Sequence, residues 1–87
     1  MLIKQTQNVT NFILMDIDKS ETLKKFGKRF RYNRVIKGYT QEKLAFELGV
    51  EISQISRIER GLINTSVYLI YRAADVLEVP PSDFFSE

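Results

Sequence analysis

Ile52, Ser53, Ser56, Arg57 and Arg60 stand at spacings that bring all five to one side of a helix. At about 100° per residue they span an arc of roughly 140°, while Ile55 and Ile58 fall on the opposite side. The first face carries two guanidiniums, two small hydroxyls and one aliphatic group. Those are the groups that read base edges in the major groove of DNA. Arginine forks onto guanine, serine reaches either base type, and an apolar group meets the thymine methyl. The bland alternative is a solvated face with one stray exposed isoleucine, which is common in folded proteins.

Other chemistry has little to work with. The chain has no histidine and no cysteine, so the usual general base, the commonest metal ligand and the thiolate are all missing. No glycine-rich phosphate loop is present, and Asp16, Asp18, Asp75 and Asp83 suggest no acid pair. The sequence therefore points away from an enzyme, and it calls for no cofactor, metal or small-molecule ligand. The longest apolar run, near Phe12–Met15, is far too short for a membrane span or a signal-peptide core. A soluble cytoplasmic protein is the default expectation.

Eighty-seven residues suit one small domain with a single core. The net charge is only +2, but it is unevenly spread. Residues 21–40 hold seven cations (Lys24, Lys25, Lys28, Arg29, Arg31, Arg34, Lys37) against one acid, Glu21, whereas residues 61–87 hold Arg72 against four acids. A chain polarised in this way can offer a basic face to a polyanion.

The elements that must position the 52–60 face are helices. Residues 1–20 form an arm of uncertain structure, and residues 21–87 form the domain. Asp18 and Glu21 have the spacing of a capping box for a first helix with Leu23, Phe26 and Phe30 on its inner face, ending near Gly38. Its internal Gly27 points to close packing. Thr40 caps a second helix with Leu44, Ala45 and Leu48 inward, and Gly49 stops it. A third helix follows at 52–60 and ends at Gly61. Asn64, Thr65 or Ser66 can cap a fourth, whose inner face is Ile70, Ala73, Ala74 and Leu77. Pro81 then opens a closing turn that pins Phe84 or Phe85 onto the core. The expected fold is all-α, with five short helices in one domain. Two helices of about eight residues joined by "LGVE" must cross steeply, with Val50 filling the corner, so residues 41–60 read as a helix-turn-helix.

"YTQEKLAFELGVEISQISRIERG" resembles the DNA-binding segment of the Cro/repressor-type, or Xre-like, helix-turn-helix family. The matching residues are Arg34, Gly38, Thr40, Gln41, Leu44, Ala45, Leu48, Gly49, Val50, Ile55, Ser56, Ile58, Glu59 and Gly61, and the likeness runs on through Ile70, Ala74, Leu77 and Val79 to Phe84–Phe85. Two positions depart from the family pattern. Thr65 replaces a frequent proline, where a capping threonine would serve, and Asn33 replaces a frequent leucine, which implies looser burial of the first helix there. The resemblance implies a lambda-repressor-like domain that binds double-stranded DNA.

By the same resemblance, Ile52, Ser53 and Arg57 occupy base-reading positions and Gln41 and Arg60 phosphate-contacting ones. Thr40, Gln54 and Ser56 complete the DNA-binding set. Gln41 has separate support, because the first turn of a helix favours a phosphate. Arg34 and Glu59 match an ion pair that braces the first helix against the third. The expected function is a sequence-specific transcriptional regulator, of the kind found among phage repressors, restriction–modification controllers and mobile-element regulators. It would act as a homodimer on an inverted repeat, joined near Leu62, Ile63 and Phe84–Phe85 with help from Phe12–Met15. The alternative is an antitoxin or other protein-binding module on the same fold.

Overall fold

The computed structural model describes residues 17–86, and the expectations for residues 1–16, including the run Phe12–Met15, lie outside them. Helix α1 (Lys19–Ile36) starts at Asp18, whose carboxylate accepts from Ser20 N at 2.8 Å and Glu21 N at 3.3 Å. Lys19 and Ser20 thus belong to the helix rather than to the arm. Helix α2 (Gln41–Leu48) is capped by Thr40, whose Oγ1 accepts from Lys43 N at 3.0 Å. It ends at Gly49, which sits in the left-handed region at φ 71° and ψ 32°. A side chain there would cost about 1–2 kcal/mol, and the turn it makes sends the chain directly into α3 (Ile52–Glu59).

Helix α4 (Val67–Leu77) follows, and Pro81–Phe85 closes the fold as a 3-10 helix. The described residues therefore form four α-helices and one 3-10 helix, the last being the closing turn expected as the fifth short helix. A segment of five residues has room for few α-helical bonds, and short helical pieces commonly take the tighter 3-10 form.

The core gathers Phe30 from α1, Leu44 and Leu48 from α2, Ile55 and Ile58 from α3, Leu77 from α4, and Phe84. Phe30 and Phe84 stack with ring centroids 5.2 Å apart, and Phe26 meets Phe84 edge-on at 6.1 Å. Such offset and edge contacts suit the aromatic quadrupole. The closing turn is thus pinned by Phe84, while Phe85 is exposed.

Packing refines two expectations and overturns a third. Ile70 packs against the core from the inner face of α4 but only half-buried, and its neighbour Leu69 is the more deeply buried residue of that first turn. Of the three candidate caps it is Ser66 that caps α4, accepting from Leu69 N at 3.1 Å, and the buried Thr65 hydroxyl has no hydrogen-bond partner among the described residues. Asn33 is not loosely held but fully buried. Its Nδ2 donates to the Arg29 carbonyl at 2.8 Å and to the Asp83 carbonyl at 3.3 Å, and Arg29 Nε donates to the same Asp83 oxygen at 3.1 Å. A polar residue is tolerated at this site because the 3-10 helix brings it an acceptor.

Gly27 sets the distance between α1 and α3. A Cβ built there would lie 2.5 Å from the Ile58 carbonyl oxygen and 2.6 Å from that of Glu59. The backbones approach as closely as they do because no side chain stands between them.

Candidate nucleic-acid interface

Helix α3 divides as the spacing predicts. Ile55 and Ile58 are buried, whereas Ile52, Ser53, Arg57 and Arg60 are exposed, with Ser56 and Gln54 at intermediate depth. Ile52 keeps 48% of its surface, although it belongs to the same apolar class as its two buried neighbours. The Arg60 Nε donates to Ser56 Oγ at 3.2 Å, which ties the last turn of this face to its middle.

Behind the face lies the brace. Arg34 of α1 grips Glu59 of α3 with two parallel contacts, Nε to Oε2 at 2.5 Å and Nη2 to Oε1 at 3.0 Å. The side chains retain 9% and 2% of their surface, so the pair is buried. The Arg34 Nη1 also donates to the Tyr39 carbonyl at 2.7 Å, just ahead of α2. Bidentate geometry of this kind fixes orientation as well as supplying energy. It holds the ends of α1 and α3 and the start of α2 in one register.

Gln41 joins this network, which spacing alone did not indicate. Its Nε2 donates to Glu59 Oε1 at 3.0 Å. The amide is therefore half-buried at the start of α2 and anchored on a carboxylate, with one further N–H left over from its two. Thr40 is exposed, and its Oγ1 accepts the capping bond while its O–H remains a donor. The structure thus brings Gln41, Ser56, Glu59 and Arg60 together around one groove, with Lys28 and Arg31 of α1 on its other side. Lys28 and Arg31 were visible in the sequence only as members of a charge block. Their spacing of three, with Lys24 four residues earlier, was the signal that a single stripe of α1 carries them.

The other cations of that block have different roles. Arg29 turns to the Asp83 carbonyl and lies over the Tyr32 ring, 4.7 Å from its centroid. The residues expected to join two copies differ in exposure. Leu62 and Phe85 are exposed, but Phe84 is buried and Ile63 is half-buried against the core. Val67, Tyr68 and Tyr71 are exposed on α4. Among the described residues, no cluster of acids could hold a metal ion, and no helix is long and apolar enough to cross a membrane.

Two short helices set by a left-handed glycine, a buried arginine–glutamate brace and an outward apolar residue at the start of the second helix make a specific combination. The family model described as Helix-turn-helix (HTH_3) matches residues 30–84. The chain belongs to that family.

Within it, the chain is similar to the uncharacterised HTH-type transcriptional regulator YazB of Bacillus subtilis (strain 168). The two are 46% identical over 54 residues, which cover 62% of this chain and 78% of YazB. It is also similar to control protein C.BamHI of Bacillus amyloliquefaciens, at 42% identity over 59 residues covering 67% and 73% of the two chains. An uncharacterised HTH-type transcriptional regulator of Sinorhizobium medicae (strain WSM419) is longer, and this chain spans 44% of it at 34% identity. Among solved structures, the restriction-modification controller protein C.AhdI from Aeromonas hydrophila superposes with a TM-score of 0.69 at 41% identity. That match covers 72% of this chain and 96% of C.AhdI.

Proposed function

We propose that this helix-turn-helix protein is a DNA-binding transcriptional regulator that reads double-stranded DNA with α3 in the major groove. The observation that carries this reading is the exposed face of α3, where Ile52, Ser53 and Arg57 stand side by side while Ile55 and Ile58 anchor the helix from behind. Ile52 and Ser53 lie in the first turn of α3, the end that such motifs insert into the groove. Arg57 would fork onto guanine, and Ile52 would meet a thymine methyl. Gln41 and Arg60 would hold phosphates on either side, and Thr40, Gln54 and Ser56 lie within the same surface. Similarity to YazB and to the two controller proteins supports regulation of transcription as the outcome of binding.

The protein acts as a homodimer on an inverted repeat in the cytoplasm, where it is a binding protein and not a catalyst. One domain of this size covers a single half-site, and a two-fold dimer would place its α3 helices about 34 Å apart, one turn of DNA. The exposed apolar residues Leu62, Val67, Tyr68, Tyr71 and Phe85 supply the surface for such a contact. Selection of bound duplexes from a random pool tests the reading directly. An inverted repeat should emerge, and its affinity should fall steeply with salt, by roughly 0.9 in log K per log salt for each phosphate neutralised. Failure to enrich any duplex, or a monomer by sedimentation both free and on DNA, would count against it.

A further inference from the structure

The groove between α1 and α3 has a volume of about 730 Å³ and runs alongside the exposed face of α3. One wall is Lys28 and Arg31, both exposed on α1, and the other is Ser56 and Arg60. Gln41 and Glu59 also line it, and Tyr32 and Val35 add apolar surface on the α1 side. Three of these groups are cations and one is an acid. That acid is already spent, because both carboxylate oxygens of Glu59 are held by Arg34 and one of them also by Gln41. The groove therefore presents positive charge and hydrogen-bond donors with no free carboxylate to oppose an anion. Lys28 and Arg31 lie three residues apart on α1, so they project together as one stripe.

We infer that this groove seats the phosphodiester backbone of the same duplex that α3 reads, with Lys28 and Arg31 as two phosphate-neutralising residues outside the helix-turn-helix itself. The inference rests on the proposed DNA-binding reading. Ser56 and Arg60 belong to both surfaces, so a strand bordering the base-reading face continues into the groove. The groove is not an enclosed cavity, which suits a chain of phosphates better than a single sequestered anion. The two side chains contribute electrostatic affinity without base discrimination, since phosphate contacts carry no sequence information.

Lys28→Ala with Arg31→Ala tests this, because both residues are exposed and the substitution favours the helix. Anisotropy titrations from low to moderate salt would compare wild type and variant on a selected operator and on a random duplex. The salt slope should fall by about 1.8, which at 0.1 M salt is a loss of about 60-fold in affinity. The loss should be equal on the two duplexes, at an unchanged melting temperature. Lys28→Arg with Arg31→Lys, which keeps both charges, should retain the wild-type slope. An unchanged slope in the alanine pair overturns the inference, as does a loss confined to the operator or a charge-keeping pair as weak as the alanine pair. If wild-type protein binds no duplex at all, the DNA-binding reading falls with it.

Discussion

Replacing Glu59 with glutamine removes one charge and almost no volume from the centre of the brace. Glu59 accepts three hydrogen bonds, from Arg34 Nε and Nη2 and from Gln41 Nε2. Glutamine has one acceptor oxygen in place of two, and its amide nitrogen would point a donor at another donor. Arg34 stays cationic with 9% of its side chain exposed, and its remaining fixed acceptor is the Tyr39 carbonyl. Breaking a buried pair from one side costs about 3–5 kcal/mol, because the stranded charge keeps its desolvation penalty. A domain of this length has a total stability of roughly 4–13 kcal/mol, so the variant would sit near the edge of folding.

Urea unfolding followed by far-UV circular dichroism at 25 °C would measure the loss as a lower midpoint at unchanged slope. The deficit should persist at high salt, since buried pairs are screened far less than exposed ones. Arg34→Met combined with Glu59→Met should recover much of the stability, because the charge and its partner leave together. A loss below about 1 kcal/mol for Glu59→Gln would mean that the pair is solvated, as exposed pairs are. The account of how α1 is locked to α3 would then be wrong.

Ile52→Ala should leave the melting temperature nearly unchanged and weaken operator binding by on the order of 1 kcal/mol, the worth of a few tens of Å² of apolar contact. Placing uracil at the contacted thymine should reproduce the loss in wild type, whereas Arg57→Ala should relax a guanine preference worth roughly 1–3 kcal/mol. Gly27→Ala should destabilise by about 1–3 kcal/mol or more, as overpacked sites do, since the new methyl would meet the Ile58 and Glu59 carbonyls. Thermal melts would show it. Asn33→Ala strips one of two donors from the half-buried Asp83 carbonyl and leaves it the Arg29 donor, at a cost of about 0.5–1.5 kcal/mol for the lost bond. Faster proteolysis at the C-terminal turn would reveal the loosened contact.

Local signals made much of this protein legible before any packing was known. Asp18 and Thr40 cap the helices whose starts they mark, and Gly49 ends α2, because capping and left-handed turns involve residues only a few positions apart. The division of α3 into Ile55 and Ile58 inward and Ile52 outward is a matter of helical phase, which depends on spacing alone. Even the Arg34–Glu59 pairing was accessible through a shared motif. Other features depended on where a distant element came to rest. Asn33 reads as a poor core residue until the 3-10 helix delivers the Asp83 carbonyl from 50 residues away. Asn64, Thr65 and Ser66 are equivalent as caps in the sequence, and the entry angle of α4 selects Ser66. That same angle turns Leu69 inward ahead of Ile70. Gln41 meets Glu59 because the turn at Gly49 sets α2 against α3, and Lys28 and Arg31 face Arg60 across a groove whose helices approach closely at Gly27. Periodicity determines which side of a helix is apolar, but the groups that face one another across a gap are decided by how closely the helices pack.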